Sequence, residues 1–144
     1  MDRALALAQG AAARGEVPVG AIILDPDGHV VAEGTNAPVA TSDPTAHAEI
    51  LAIRAACEIA GNYRLTNHTL VVTLEPCTMC ASAIAHARIG RLIYGATDPK
   101  GGAVDSGVRF FDQPTCHHKI DIVGGVRAEE SAHMLRAFFR ARRK

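Results

Sequence analysis

Residues 17–36, VPVGAIILDPDGHVVAEGTN, constrain the fold more than any other stretch of this chain. Two apolar, β-branched runs flank the turn sequence DPDG, and runs of that kind fold back on themselves as a β-hairpin. A lone hairpin is only marginally stable in water, so the remaining residues must supply further strands and a covering layer. TLVVTLE (69–75), RLIYGA (91–96) and KIDIVGG (119–125) read as those strands. The segments between them carry helical period. SDP opens one helix, with Asp43 suited to the N-cap and Pro44 to the first helical position, and AHAEILAIRAACEIA continues it. PCTMCASAIAHA is a second helix starting at Pro76, and AEESAHMLRAFFRARRK is the last. A hairpin followed by alternating helices and strands implies an α/β fold, a mixed sheet with helices packed on its faces.

Length permits this without staples. The chain has 144 residues, no internal repeat and no linker, and reads as a single domain over 1–144 with a core of ordinary size. Its four cysteines, at 57, 77, 80 and 116, are too sparse for a disulfide scaffold, which points to a reducing, cytoplasmic setting. MDRALALAQGAAARG has a short apolar run, but Asp2 precedes it and Gln9 and Gly10 break it, so an amphipathic helix is the better reading than a leader. No stretch approaches the roughly 20 apolar residues of a membrane span. Fifteen basic and fifteen acidic residues leave the overall charge silent about a polyanionic partner. The terminal RAFFRARRK is basic and aromatic. A solvated face with Phe138 and Phe139 packed inward accounts for it at least as well as a nucleic-acid contact.

The chemistry-bearing residues gather where loops feed helices. His47 and Glu49 fall in the first turns of the helix after Asp43, and Cys77 and Cys80 in the first turn of the helix after Pro76. Cysteines at i and i+3 share a helical face, and a helix N-terminus favours the thiolate that binds metal. A redox Cys-x-x-Cys would be expected directly after the first strand of a βαβ unit, whereas this one follows a hairpin and a helix. A closed structural zinc site needs two further ligands, and none of His68, His86, Cys57, Cys116, His117 and His118 falls in a second knuckle. One histidine and two cysteines leave a fourth position open, the arrangement of catalytic zinc. Such a site lowers the pKa of its water from nearly 16 to about 7 and still needs a proton carrier, for which Glu49 is the candidate.

AHAEI followed by EPCTMC resembles the His-x-Glu and Pro-Cys-x-x-Cys signature of the zinc-dependent nucleoside and nucleic-acid deaminases. EVPVGAIIL, EGTN, DPTAHAEILAIR, NYRL, TLVVTLEPCTMCASAIAHARIGRLIYGATDPKGG and FFRARR extend the likeness over nearly the whole chain. Together they are similar to the bacterial tRNA adenosine deaminases, which make inosine at the wobble position of an arginine tRNA. The resemblance implies a cytidine-deaminase-like three-layer α/β/α sandwich with a central mixed five-stranded sheet. It implies one zinc per subunit held by His47, Cys77 and Cys80, and Glu49 as proton shuttle. It also implies Asn36 hydrogen-bonded to the target base, Asp98 and Lys100 in a loop that approaches the flanking nucleotides, the tRNA anticodon loop as partner, and a homodimer to which the helix CASAIAHARIG could lend a face.

Some of these residues have ordinary alternatives. An asparagine ahead of Ala37 and Pro38 is a common turn former, Cys57 is suited to a core, and the CASAIAHARIG stripe is equally suited to one. Glu75 is either a neighbour of the metal or a strand-end carboxylate. His117 and His118 read as surface histidines, and residues 97–118 as a long, partly helical connection of the kind that is often functional. Two other functions fit parts of the pattern. A zinc deaminase of a free base or nucleoside (guanine, cytosine) would carry the same signature. A non-catalytic zinc-bearing RNA-binding subunit would be expected to lack Glu49.

Overall fold

The computed structural model describes residues 1–143, and Lys144, the end of the expected last helix, lies outside them. The hairpin forms as expected from β1 (Gly20–Leu24) and β2 (Val30–Thr35). Asp25 closes its turn by accepting the backbone N–H groups of Asp27 and His29 through one carboxylate oxygen, both at 2.9 Å. β3 (Thr69–Leu74), β4 (Arg91–Ala96) and β5 (Asp121–Val123) complete a five-stranded sheet in the order β2-β1-β3-β4-β5. β1 runs antiparallel to β2 and β3, while β3, β4 and β5 are parallel, so the sheet is mixed. Only the middle of the expected KIDIVGG run is strand, because β5 pairs on one side alone and extends just over the Arg91–Ile93 part of β4.

Helices α1 (Asp2–Ala13) and α5 (Ala128–Arg142) cover one face, and α3 (Ala48–Ala60) and α4 (Thr78–His86) the other. Strand alternation sorts the side chains between the layers. Ile22 and Val71 join Ala4 under α1, while Ala21, Ile23, Leu70, Val72 and Leu92 pack with Ala52, Ala56 and Ile84 under α3 and α4. The small-residue stripe of α4 is core: Cys80, Ala81, Ile84 and Ala85 are all buried. Cys57 is half-buried against the edge of this core. The three layers are those of the cytidine-deaminase-like sandwich.

Two helix starts differ from expectation. α3 begins at Ala48, not at Pro44. Asp43 is instead spent on a local turn, accepting the N–H and hydroxyl of Thr45 at 2.8 and 2.7 Å, and His47 is held in extended conformation as the N-cap. α4 begins at Thr78 with Cys77, rather than Pro76, at its N-cap. A short helix that the sequence did not announce, α2 (Pro38–Thr41), follows β2. Its first free N–H groups, those of Val39 and Ala40, donate to the buried carboxylate of Glu16 at 3.2 and 2.8 Å.

Candidate active site

The end of β3, the start of β1 and the end of β2 lie side by side. Gly20 N–H donates to Thr73 Oγ1 at 3.2 Å and Gly20 pairs with Thr35. This places Val17 and Val19, Asn36, and Leu74 to Cys77 around one edge of the sheet, outside the carboxyl end of β3, where α/β sheets hold their ligands. A cavity of about 250 Å³ opens there, lined by Val17, Val19, Leu74, Asn36, His47, Glu49, Glu75, Cys77, Asp98 and Gly101. It is smaller than the ~300–1,000 Å³ typical of drug-sized ligands, and so suits a single small planar group.

His47 and Cys77 reach the cavity as the N-caps of two helices, and Cys80, one turn into α4, closes the cluster from beneath. His47 Nδ1 lies 3.6 Å from Cys77 Sγ and 3.5 Å from Cys80 Sγ. A tetrahedral zinc with bonds of about 2.3 Å to sulfur and 2.05 Å to nitrogen requires N···S separations of about 3.5–3.6 Å. The donor set and its spacing therefore fit zinc. Without metal, the cluster shares protons unequally. The thiol of Cys80 donates to Cys77 and, with His47, holds the Cys77 thiol down at about 4 against the effect of burial. Cys80 is correspondingly pushed far above the ordinary thiol range, and the contact with Cys77 raises His47.

Glu49, in the first turn of α3, is only 4% exposed and faces the same cavity. Burial pushes its carboxyl up to about 7, which Cys77 reinforces and its own backbone N–H and His47 oppose. A carboxyl poised near neutrality beside a metal-ligand cluster can both accept and return a proton.

Asn36 has a use that sequence reasoning missed. Its side-chain oxygen accepts the N–H of Ala48 at 3.0 Å, capping the helix that carries Glu49 where His47's own side chain does not. That leaves its amide nitrogen as a donor at the cavity wall. Asp98 lies on the opposite rim and accepts the N–H groups of Lys100 and Gly101 at 3.2 and 3.0 Å. Lys100 is not brought into the cavity. It lines an adjoining groove of about 720 Å³ that shares Val17, Leu74 and Asp98 with the cavity and continues along α5 past Arg136, Phe139, Arg142 and Arg143.

This groove corrects the inward packing expected for the terminal aromatics. Phe139 is 46% exposed at the groove, and Phe138 stacks beneath the guanidinium of Arg142 at 4.5 Å. The cause is that α5 buries only Ser131 fully, so its apolar residues stay near the surface. His118 Nε2 donates to the Ile89 carbonyl at 2.6 Å. Among the described residues the one other metal-competent group is the exposed hairpin turn Asp25, Asp27 and His29.

The pattern of the cytidine and deoxycytidylate deaminase zinc-binding region matches residues 1–96, which include Asn36, His47, Glu49, Cys77 and Cys80. A tRNA-specific adenosine deaminase of Agrobacterium fabrum is 57% identical over 143 residues, 99% of this chain and 93% of that protein. The chain belongs to the tRNA-specific adenosine deaminase family. Another tRNA-specific adenosine deaminase, from Haemophilus influenzae, is 51% identical over the whole of this chain and 83% of its own length. A structure solved in studies of A-to-I editing by tRNA:A34 deaminases at the wobble position of transfer RNA superposes with a TM-score of 0.92. It is 57% identical and covers 94% of this chain and 97% of its own. Membership of this zinc deaminase family accords with the His47, Cys77 and Cys80 group, which could hold a metal ion and of which Cys80 is buried and the other two half-buried. No helix among the described residues is long and apolar enough to cross a membrane.

Proposed function

We infer that this chain hydrolyses adenosine to inosine at the wobble position of tRNA, with an arginine tRNA as substrate. The observation that carries the reading is the convergence of His47 Nδ1 and the Cys77 and Cys80 sulfurs at zinc-ligand spacing on the wall that also presents buried Glu49. His47, Cys77 and Cys80 hold the metal, which when bound supplies an acidified water as nucleophile. Glu49 takes one proton of the attacking water and delivers it to adenine N1 as C6 becomes tetrahedral, then takes the remaining proton from the new C6 hydroxyl and passes it to the departing amine, so that water and adenosine become inosine and ammonia.

The Asn36 amide nitrogen, free of the capping bond, donates to the base. Val17, Val19 and Leu74 give it an apolar bed. A stacked adenine cannot reach so enclosed a site, and a loop nucleotide unstacks at lower cost than a paired one. Asp98, at the cavity mouth, and Lys100 belong to a loop that approaches the flanking nucleotides, and Lys100 with the arginines of α5 lines their path. The reading extends to one deaminase domain over 1–144, for which length and the lack of repeats speak, to a cytoplasmic setting, for which the sparse cysteines speak, and to a homodimer, as the resemblance implies.

The free-base reading is not favoured, since the groove of Lys100, Arg136, Arg142 and Arg143 is of no use to a free base. A non-catalytic subunit would not need Glu49 buried beside the ligands. The test is to incubate the protein separately with an arginine-tRNA anticodon stem-loop, adenosine, guanine and cytosine, and to measure inosine and ammonia. Inosine from the stem-loop alone is expected, and ammonia from a free base without inosine in the RNA would overturn the reading.

A further inference from the structure

Two buried carboxylates face the cavity, and only one is free to move protons. Glu75, 2% exposed, leaves the end of β3 immediately before Pro76 and the ligand Cys77. Its Oε1 accepts the N–H of Asp98 and the hydroxyl of Ser106, both at 2.9 Å. Its Oε2 accepts the N–H groups of Val104, Asp105 and Ser106 at 3.0, 2.9 and 2.9 Å. Five donors exceed the roughly four lone-pair sites of a carboxylate, so none is left for substrate or water.

The loop also lies flat on this group. A methyl at Gly102 would meet the Glu75 carboxyl carbon and the Asp98 carbonyl oxygen at 2.5 Å each. Ala103 N–H donates to the Pro76 carbonyl at 2.9 Å, and the Tyr94 hydroxyl donates to Asp105.

We propose that Glu75 is a positioning residue for substrate binding: by gathering the amides of residues 98–106 it sets Asp98 and Gly101 as the rim of the cavity opposite Asn36. The inference rests on the reading of Asp98 as a substrate contact. Local hydrogen bonds preserve the loop's own turn, with Gly102 N–H on the Asp98 carbonyl at 2.8 Å, while the Glu75 side chain, beside the single backbone bond from Ala103 to Pro76, ties that turn to the segment that leads from β3 to Cys77 at the N-cap of α4.

Glu75→Gln isolates this role. The carboxamide oxygen can keep the three amides of residues 104–106, while its NH2 group faces the Asp98 N–H and cannot accept from it. Ser106 can rotate to accept, so Asp98 is the group released. With an anticodon stem-loop, KM is expected to rise by about tenfold with kcat within about threefold, one zinc per chain being kept. In an Asp98→Ala background, which itself raises KM, adding Glu75→Gln should change kcat/KM by less than about twofold.

Equal effects of Glu75→Gln in both backgrounds, or a fall in kcat with KM unchanged, would overturn the proposal. A wild-type KM in Asp98→Ala alone would refute the reading of Asp98 itself, a separate outcome. Should Glu75→Gln fail to fold, the same cycle with Ser106→Ala, which removes one of the five donors, is expected to show a smaller rise of about two- to threefold, again absent in the Asp98→Ala background.

Discussion

Replacing Gly34 by alanine should disable the enzyme while a matched replacement on the other face of the sheet should not. A methyl at Gly34 would fall 2.7 Å from Ala52 N and closer still to the Ala48 carbonyl oxygen, both backbone atoms of α3. Restoring an ordinary 3.4 Å contact requires α3 to retreat by at least about 0.7 Å. α3 carries His47 at its N-cap and Glu49 in its first turn, so both shift against Cys77 and Cys80 on α4.

Gly20 supplies the control. A methyl there would fall 2.8 Å from Ala8 N and closer to the Ala4 carbonyl oxygen, forcing a similar retreat of α1, which holds no site residue. Overpacking of this kind costs about 1–3 kcal/mol in either case, a fall in Tm of about 3–9 °C. A displacement of about 1 Å at a reacting group costs on the order of 100-fold in rate. Gly34→Ala should therefore lose about 10- to 100-fold in single-turnover inosine formation per bound zinc, and Gly20→Ala less than about threefold. Thermal unfolding and anticodon stem-loop assays on both proteins decide the matter. Equal losses of activity per folded, zinc-loaded molecule, or full activity in Gly34→Ala, would refute the reasoning.

Asn36 should separate into two functions. Asn36→Asp keeps the oxygen that caps Ala48 and should retain near wild-type Tm while losing at least about tenfold in kcat/KM, whereas Asn36→Ala should lose about 1 kcal/mol of stability as well, measurable by urea unfolding. Zinc uptake by the metal-free protein should release protons: Cys77, held down at about 4, is already a thiolate at neutral pH, but Cys80 and His47, both raised, must lose protons to bind. Apparent affinity should therefore rise with pH between about 6 and 8, and calorimetry in buffers of different ionisation enthalpy that found no proton release would contradict this. Lys100→Ala should weaken stem-loop binding and reduce the slope of log K against log salt by about 0.7, with kcat unchanged; an unaltered slope in anisotropy titrations would exclude a phosphate contact.

The strands and the metal cluster were legible in the sequence because each depends on short-range pattern. Alternating β-branched runs give β1 to β4, and His-x-Glu with Pro-Cys-x-x-Cys gives the cluster. Helix starts were less legible. Asp43 and Pro44 are good openers, but the Asp43 side chain found a nearer partner in Thr45, and the helix waited for His47. Long-range hydrogen bonds left no trace in local pattern. Nothing around Asn36 shows that its oxygen caps a helix twelve residues on, and nothing around Glu75 shows that its partners lie 23 to 31 residues downstream. Lys100 is two residues from Asp98 in sequence, yet it lines the groove and not the cavity.

The central claim is that Glu49 carries protons at a zinc held by His47, Cys77 and Cys80, and single-turnover inosine formation by Glu49→Gln tests it most directly. With metal content measured on the same sample, the variant should retain one zinc per chain and lose about 100- to 10,000-fold in rate. A zinc-loaded Glu49→Gln protein that forms inosine at the wild-type rate would contradict the account.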